Sequence, residues 1–294
     1  MLNVTPVEVD DGLSGCDTRE KIVLIDADTL AFNACLEMEV MEECLPEHFY
    51  NAQEWKEITQ NPTYHYDEKY GIHAIYTIDY EELLEAAVSR TQNIISATNT
   101  LSAELYFTSG RNFRFDVSDS YKANRIGSRY PTGLKWLKEK INSLYEGLIC
   151  TEWEADDHVV YLKKSEPDKY VLAAIDKDVL QSVQGEHFDY YYNRFEFVET
   201  DIHMATGWNY HQCLIGDQTD GIAGLKGVGK VRAGKALADC ILPLDYWDVV
   251  VDLYKSKGLT EEDAITTMRL VGMHQLKKNE IGTLQIELWG PPKE

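Results

Sequence analysis

The chain has 294 residues, 44% of them hydrophobic and 27% charged, and its 28 Lys and Arg face 50 Asp and Glu for a net charge of −22. That composition excludes a collagen-like or disordered chain, and the length leaves room for one large domain or two modest ones. No run approaches the ~18 consecutive apolar residues that a membrane span needs, and the opening residues MLNVTPVEVDDGLSG are acidic where a secretion signal is basic and then apolar, so a cytoplasmic protein with no membrane partner is expected.

In chain order, residues 21–28 (KIVLIDAD) read as a buried parallel strand ending in acids, with a helix starting at Thr29. Residues 37–80 form a polar insertion with Pro46 and Pro62 and no clear period. Residues 80–99 then place Leu83, Leu84, Ala87, Val88, Ile94 and Ile95 at helical spacing, and 104–108 (ELYFT) read as a second buried strand. Residues 110–145 are expected to form an arch, in which 111–129 lack a strong period and Pro131 opens a helix carrying Leu134, Leu137, Ile141 and Leu144. Strand 147–152, helix 155–164, strand 169–175, short helix 178–183 and a Tyr-rich hairpin over 187–198 follow. This alternation predicts an α/β fold with a doubly wound, mainly parallel central sheet in residues 1–199, then a helical region over 200–294 packed around Trp208 and Trp247. The cysteines Cys16, Cys35, Cys44, Cys150, Cys213 and Cys240 form no C-x-x-C pair, which predicts reduced, buried thiols rather than zinc ligands or disulfides.

The charge is unevenly spread. Between Glu37 and Glu85 stand 13 acids against Lys56 and Lys69, whereas between Arg111 and Lys140 stand 8 basic residues against 3 acids. A second basic patch comprises Lys226, Lys230, Arg232 and Lys235. An acidic protein with two such patches can steer nucleic acid to them and repel it elsewhere.

In open α/β sheets ligands bind at the carboxyl ends of the strands, where this sequence collects its acids. Asp26 and Asp28 close the first strand; Glu154, Asp156 and Asp157 (EADD) follow a later one; Asp176 and Asp178 (IDKD) follow the next; Asp217 and Asp220 (GDQTDG) come after the hairpin. Any one pair reads as helix capping. Four together read as a hard-oxygen site for two divalent ions, Mg²⁺ with Mn²⁺ as the alternative, and so for phosphodiester hydrolysis. Asp28 is the weakest member of the set. Directly after Asp220, GIAGLKGVGKVRAGKAL lacks the G-x-x-x-x-G-K-S/T spacing of a Walker loop and matches a helix-hairpin-helix over 214–240, with Gly224, Gly227, Gly229, Lys230 and Lys235 as the grip on a DNA backbone.

Together, IDADTL, FTSGRNFRFDV leading into YKANR, WEADDH, AIDKDV, IGDQTDGIAGLKGVG and the tail IELWGPP resemble the 5′→3′ exonuclease and flap endonuclease superfamily, and within it the exonucleases of short-tailed lytic phages. The resemblance runs from about residue 22 to 289. It implies a PIN-like nuclease core with a helical arch, and metal ligation by Asp26, Glu154, Asp156, Asp157, Asp176, Asp178, Asp217 and Asp220. By the same resemblance Tyr121, Lys122 and Arg125 are catalytic, Lys122 and Arg125 contacting the scissile phosphate. Arg111, Arg114 and Arg129 are assigned to DNA binding, and Phe113, Phe115 and Tyr121 to base stacking or packing. The implied protein is a monomer acting on duplex DNA with a 5′ end or 5′ flap in phage DNA metabolism, with RNA/DNA hybrids and RNA-primer removal as extensions and K⁺ at the helix-hairpin-helix. One position departs from the family: Ser109 stands where the second strand usually ends in an Asp ligand. The competing reading is a non-catalytic helix-hairpin-helix DNA-binding relative with an impaired metal site.

Overall fold

The computed structural model describes residues 20–48, 51–60, 63–67 and 71–293; Cys16, Pro62 and the acidic opening stretch lie outside them. An unbroken apolar run makes β1 (Ile22–Asp26) a strand buried on both faces, and α1 (Asp28–Met38) follows after Ala27 alone. β2 (Val40–Glu43), α2 (Ala52–Thr59), β3 (Tyr64–Asp67) and β4 (Ile72–Thr77) come next. α3 (Tyr80–Thr98) starts where the Asp79 carboxylate accepts from the Glu81 and Glu82 N–H groups, and it stops at Asn99, whose φ of 50° ends the helix. β5 (Ser102–Thr108), α4 (Arg114–Val117), α5 (Leu134–Asn142), β6 (Glu146–Cys150), α6 (Ala155–Ser165), β7 (Tyr170–Ala174), α7 (Lys177–Gln181), β8 (Gly185–Asp189) and β9 (Glu196–Thr200) complete the α/β part. The rest is α8 (Ile202–Ile215), β10 (Gly216–Asp217), β11 (Ile222–Ala223), α9 (Lys230–Leu237), α10 (Pro243–Ser256), α11 (Glu261–Val271), β12 (Leu276–Lys278) and β13 (Leu284–Ile286).

The central sheet runs β6-β5-β1-β7-β8-β9, parallel throughout except where β9 returns antiparallel to β8. Successive side chains of β1 serve opposite layers. Val23 and Ile25 join the core under α1, α3 and α5, and Leu24 joins the core under α6 and α7. The sheet is therefore doubly wound, as the alternation of elements predicts. A third core, with Leu214, Leu225, Val228, Trp247, Val250 and Met268, welds α8 to α11.

Two expectations need correction. The insertion is not irregular: β2, β4 and β3 form an antiparallel sheet in that order. All four β2 side chains are exposed, so no burial imposes an alternating pattern on its sequence. Within 110–145, α5 belongs to the core, with Leu137 and Ile141 fully buried beneath it, and Leu144 is exposed rather than part of its apolar face. Trp247 packs in the helical core as expected, while Trp208 is half-buried with the Lys177 ammonium over its ring. The described cysteines are all free thiols, four of them buried and Cys240 half-buried.

The β10–β11 ribbon depends on two glycines. A Cβ on Gly224 would lie 2.1 Å from the Ile215 carbonyl oxygen, and one on Gly216 would lie 2.3 Å from the Gly224 nitrogen. Gly224→Ala is therefore expected to destabilise the fold by about 3 kcal/mol, read as a lowered denaturation midpoint, whereas Gly234→Ala in open space leaves the midpoint unchanged or raised.

Candidate active site

The acids gather where the sheet's carboxyl edge meets the helical region. Glu154 and Asp156 stand at the start of α6, Asp176 and Asp178 at the start of α7, and Asp217 and Asp220 around the ribbon after α8. These six line one cleft with Arg114, Tyr121 and Gln212, backed by Ile222, Leu270, Val271 and Met273. Asp26, at the end of β1, is 3% exposed and lies close enough to Asp156 and Asp176 to feel their charge. Capping is also present: the Asp176 carboxylate accepts from the Asp178 N–H at 2.8 Å.

Burial and crowding push these acids upward. Desolvation, then the charges of Asp28 and Asp176, raise Asp26 from 3.8 to about 8. Asp156 rises well above its ordinary value through burial and the charges of Asp26, Glu154 and Asp176. Asp176 and Asp220 are also raised, first by desolvation. Glu154 goes the other way, because Lys122 and Arg114 outweigh the cost of its burial.

Arg114 and Arg129 are not placed as the sequence suggests. Arg114 is no DNA contact: it is 3% exposed and grips Asp157, itself 0% exposed, through two hydrogen bonds of 2.6 and 2.7 Å. Arg114 also donates to the carbonyls of Leu270 and Gly272, joining the α/β part to the helical region. Asp157 is thereby engaged by this pair and by the Glu154 N–H that it accepts, and it does not line the cleft with the other six acids. Its spacing from Glu154 follows helix geometry, but sequence spacing carries no sign of which acid an arginine claims. Lys122 donates to Glu154, Arg125 to Asp220, and the buried Tyr121 hydroxyl to Glu154 at 2.8 Å and Asp220 at 3.1 Å. YKANR thus sits directly over the acids. Tyr121 and Phe113 are buried, Phe113 beneath the Arg114 guanidinium, so both pack rather than stack bases. Arg129 pairs with Glu39 and lies over the Tyr76 ring at 3.6 Å, which ties it to the insertion instead of to a DNA path. Arg111 is exposed and paired with Asp116.

In the helix-hairpin-helix, Leu225 and Val228 point into the helical core and leave the turn between them outside. Gly227, with φ of +77°, and Gly229, at the N-cap of α9, have open space around them, and Lys226, Lys230, Arg232 and Lys235 are exposed. Gly224 differs from its predicted role, since its lack of a side chain serves the close approach to Ile215.

All-oxygen donors fit Mg²⁺ or Mn²⁺, and Asp26 Oδ1 is buried without a hydrogen-bond partner among the described residues. Among the described residues, however, no three His, Cys, Asp or Glu groups are already drawn together around one point. The reason is visible in the pairings: Lys122, Arg125, Lys177 and Gln212 occupy oxygens of Glu154, Asp220 and Asp178. Gln212, buried on α8 and donating to Asp178, was not legible beforehand, because a glutamine in a helix ordinarily reads as surface. Asp28 opens α1 rather than extending β1, and both its oxygens accept the Thr108 N–H at 3.1 Å.

The shifted acids fix the sign of a pH effect. The folded chain holds the Asp26 proton up to about pH 8 and the unfolded chain only to near 3.8, so stability falls as pH rises between those values. Glu154 contributes oppositely, its stabilisation being lost as pH falls below the ordinary carboxylate range. In chelator the denaturation midpoint is therefore expected to be higher at about pH 6 than at about pH 8.5, and a divalent ion should flatten that difference. Arg114→Met, which leaves Asp157 buried and unpaired, is expected to cost about 3–5 kcal/mol in the same measurement.

No family model matches the chain. It is 27% identical over 146 residues, 43% of its length, to the thermostable DNA polymerase I of Thermus thermophilus, and the match spans only 16% of that relative. A mutant of the T5 5′-exonuclease superposes with a TM-score of 0.56 at 15% identity, over 87% of this chain and 89% of that one. A bacteriophage T5 flap endonuclease in a pseudo-enzyme-product complex with DNA and metal ions gives 0.58 at 15% identity, over 86% and 89%. The T5 5′-exonuclease with bound zinc gives 0.59 at 16% identity, over 86% and 90%. The chain shares its fold with the 5′-exonuclease and flap endonuclease structures of bacteriophage T5.

Proposed function

We propose that the chain is a divalent-metal-dependent 5′→3′ exodeoxyribonuclease that also cuts 5′ flaps. The observation that carries this reading is the unpartnered, buried Asp26 oxygen beside Asp156 and Asp176, in a cleft overlaid by Lys122 and Arg125. The T5 structures with DNA and metal ions, and the partial match to a DNA polymerase I, support it. Asp26, Glu154, Asp156 and Asp176 would hold one ion, and Asp178, Asp217 and Asp220 the other. Mg²⁺ or Mn²⁺ bound there supplies charge that activates water and offsets the phosphate.

The chain's own side chains do the remaining work. Lys122 and Arg125 neutralise Glu154 and Asp220, and with those carboxylates holding ions the same ammonium and guanidinium would be placed to meet the scissile phosphate. Tyr121, kept protonated by burial and by Glu154, holds both acids by its hydroxyl. The exposed Lys226, Lys230, Arg232 and Lys235 grip duplex phosphates, so selection is by shape rather than by base sequence.

The test is cleavage of 3′-labelled blunt duplex, 5′-flap duplex and RNA/DNA hybrid in Mg²⁺, Mn²⁺ or chelator. Metal-dependent shortening from the 5′ side that Asp178→Asn abolishes is expected, and binding without cleavage in either metal would favour the non-catalytic reading. Lys122→Ala should lower turnover by about 10²–10³ while leaving duplex affinity within a few-fold. The double change Lys226→Ala, Lys230→Ala should weaken duplex binding irrespective of sequence and reduce the salt slope by about two.

A further inference from the structure

The end of β5 carries Ser109 where the family resemblance leads one to expect an acid, and a lysine from another element reaches that place. Lys138, on α5, is 16% exposed in its side chain and donates from Nζ to Asp28 Oδ1 at 2.5 Å and to the Thr108 carbonyl at 2.9 Å. The Asp28 carboxylate also accepts the Thr108 N–H, and the Thr108 hydroxyl accepts the N–H of Ala155 at the start of α6 at 2.9 Å. Thr108 therefore couples β5 to both α1 and α6, the elements that follow Asp26 and carry Asp156, and Lys138 closes the knot. A lysine so placed is costly unless its charge is used, because its ammonium loses most of its water.

We propose that Lys138 is a built-in cation at the Asp26 end of the acidic cleft, holding Asp28 against the end of β5 and supplying part of the charge compensation that a divalent ion would supply there. Lys138 is thus a positioning residue acting through Asp28. Asp28 stands two residues after Asp26, and its carboxylate is fixed by both the Lys138 ammonium and the Thr108 N–H. An ion at this end is therefore bound more weakly than the carboxylates alone would bind it. This inference rests on the metal-dependent reading of the cleft.

The test is Mn²⁺ uptake by the full chain, measured by calorimetry and by loss of the free-ion paramagnetic resonance signal, with folding checked by circular dichroism. Lys138→Met is expected to tighten Mn²⁺ binding about tenfold, and Asp28→Asn, which keeps an acceptor for the Thr108 N–H, to weaken it about tenfold. Lys138→Arg should match the wild type. A purely structural salt bridge predicts that Lys138→Met and Asp28→Asn shift binding in the same direction, so two weakened variants overturn the proposal. Should Lys138→Met fail to fold, the comparison moves to Lys138→Gln, with the same tightening expected and its absence equally fatal. Wild-type uptake with an unchanged Lys138 variant overturns this inference alone; no uptake by the wild type overturns it together with the metal reading.

Discussion

Negative charge crowded at the carboxyl edge of a parallel sheet is the constraint around which the molecule is arranged. Burial, and then the charges of neighbouring acids, raise the cost of ionising Asp26, Asp156 and Asp176. A chain that only needed to fold would replace such a group with apolar side chains, since buried charge seldom repays its desolvation. Here each acid is instead met by a cation on a neighbouring element or left with its charge suppressed. At Asp26, one carboxylate oxygen is buried with no donor among the described residues.

Two links turn this electrostatic problem into architecture. Arg114 neutralises Asp157 and binds carbonyls at the end of α11 and just beyond, so one buried side chain joins the loop after β5, the start of α6 and the helical region. Buried ion pairs of this kind contribute specificity of arrangement more readily than net stability, and this one specifies how the two parts of the chain meet across the cleft. Lys122 and Arg125 form the second link, and they are the more exposed partners of their pairs. Their side chains keep contact with solvent, whereas the Arg114–Asp157 pair is 3% and 0% exposed.

The overall charge of −22 and the proposed DNA substrate are reconciled by placement. Much of the excess lies in the insertion whose strands β2, β4 and β3 form their own small sheet. The exposed lysines of the helix-hairpin-helix sit on a different element, behind a turn anchored by Leu225 and Val228. Arg129, bound to Glu39 and stacked on Tyr76, fastens the insertion to the segment between the YKANR motif and α5. The acidic excess and the exposed basic cluster are therefore carried by separate pieces of chain, which a net charge cannot express.

What the sequence by itself determined is the sheet, the layers and the identity of most of the acids. Buried strands such as IVLID and YVLAA leave a hydrophobic run that needs no tertiary knowledge to read, and acids directly after such runs must lie at the carboxyl edge. In the insertion, β2 escaped because a strand whose side chains are all exposed imposes no period. The division of labour among charges was decided only by tertiary structure: that Asp157 belongs to Arg114, that Gly224 serves backbone packing, that Gln212 holds Asp178, and that Lys138 reaches the end of β5. Each of these pairings spans elements remote in sequence. Coulomb attraction and hydrogen bonding act on distance in space, and only the closed fold sets that distance.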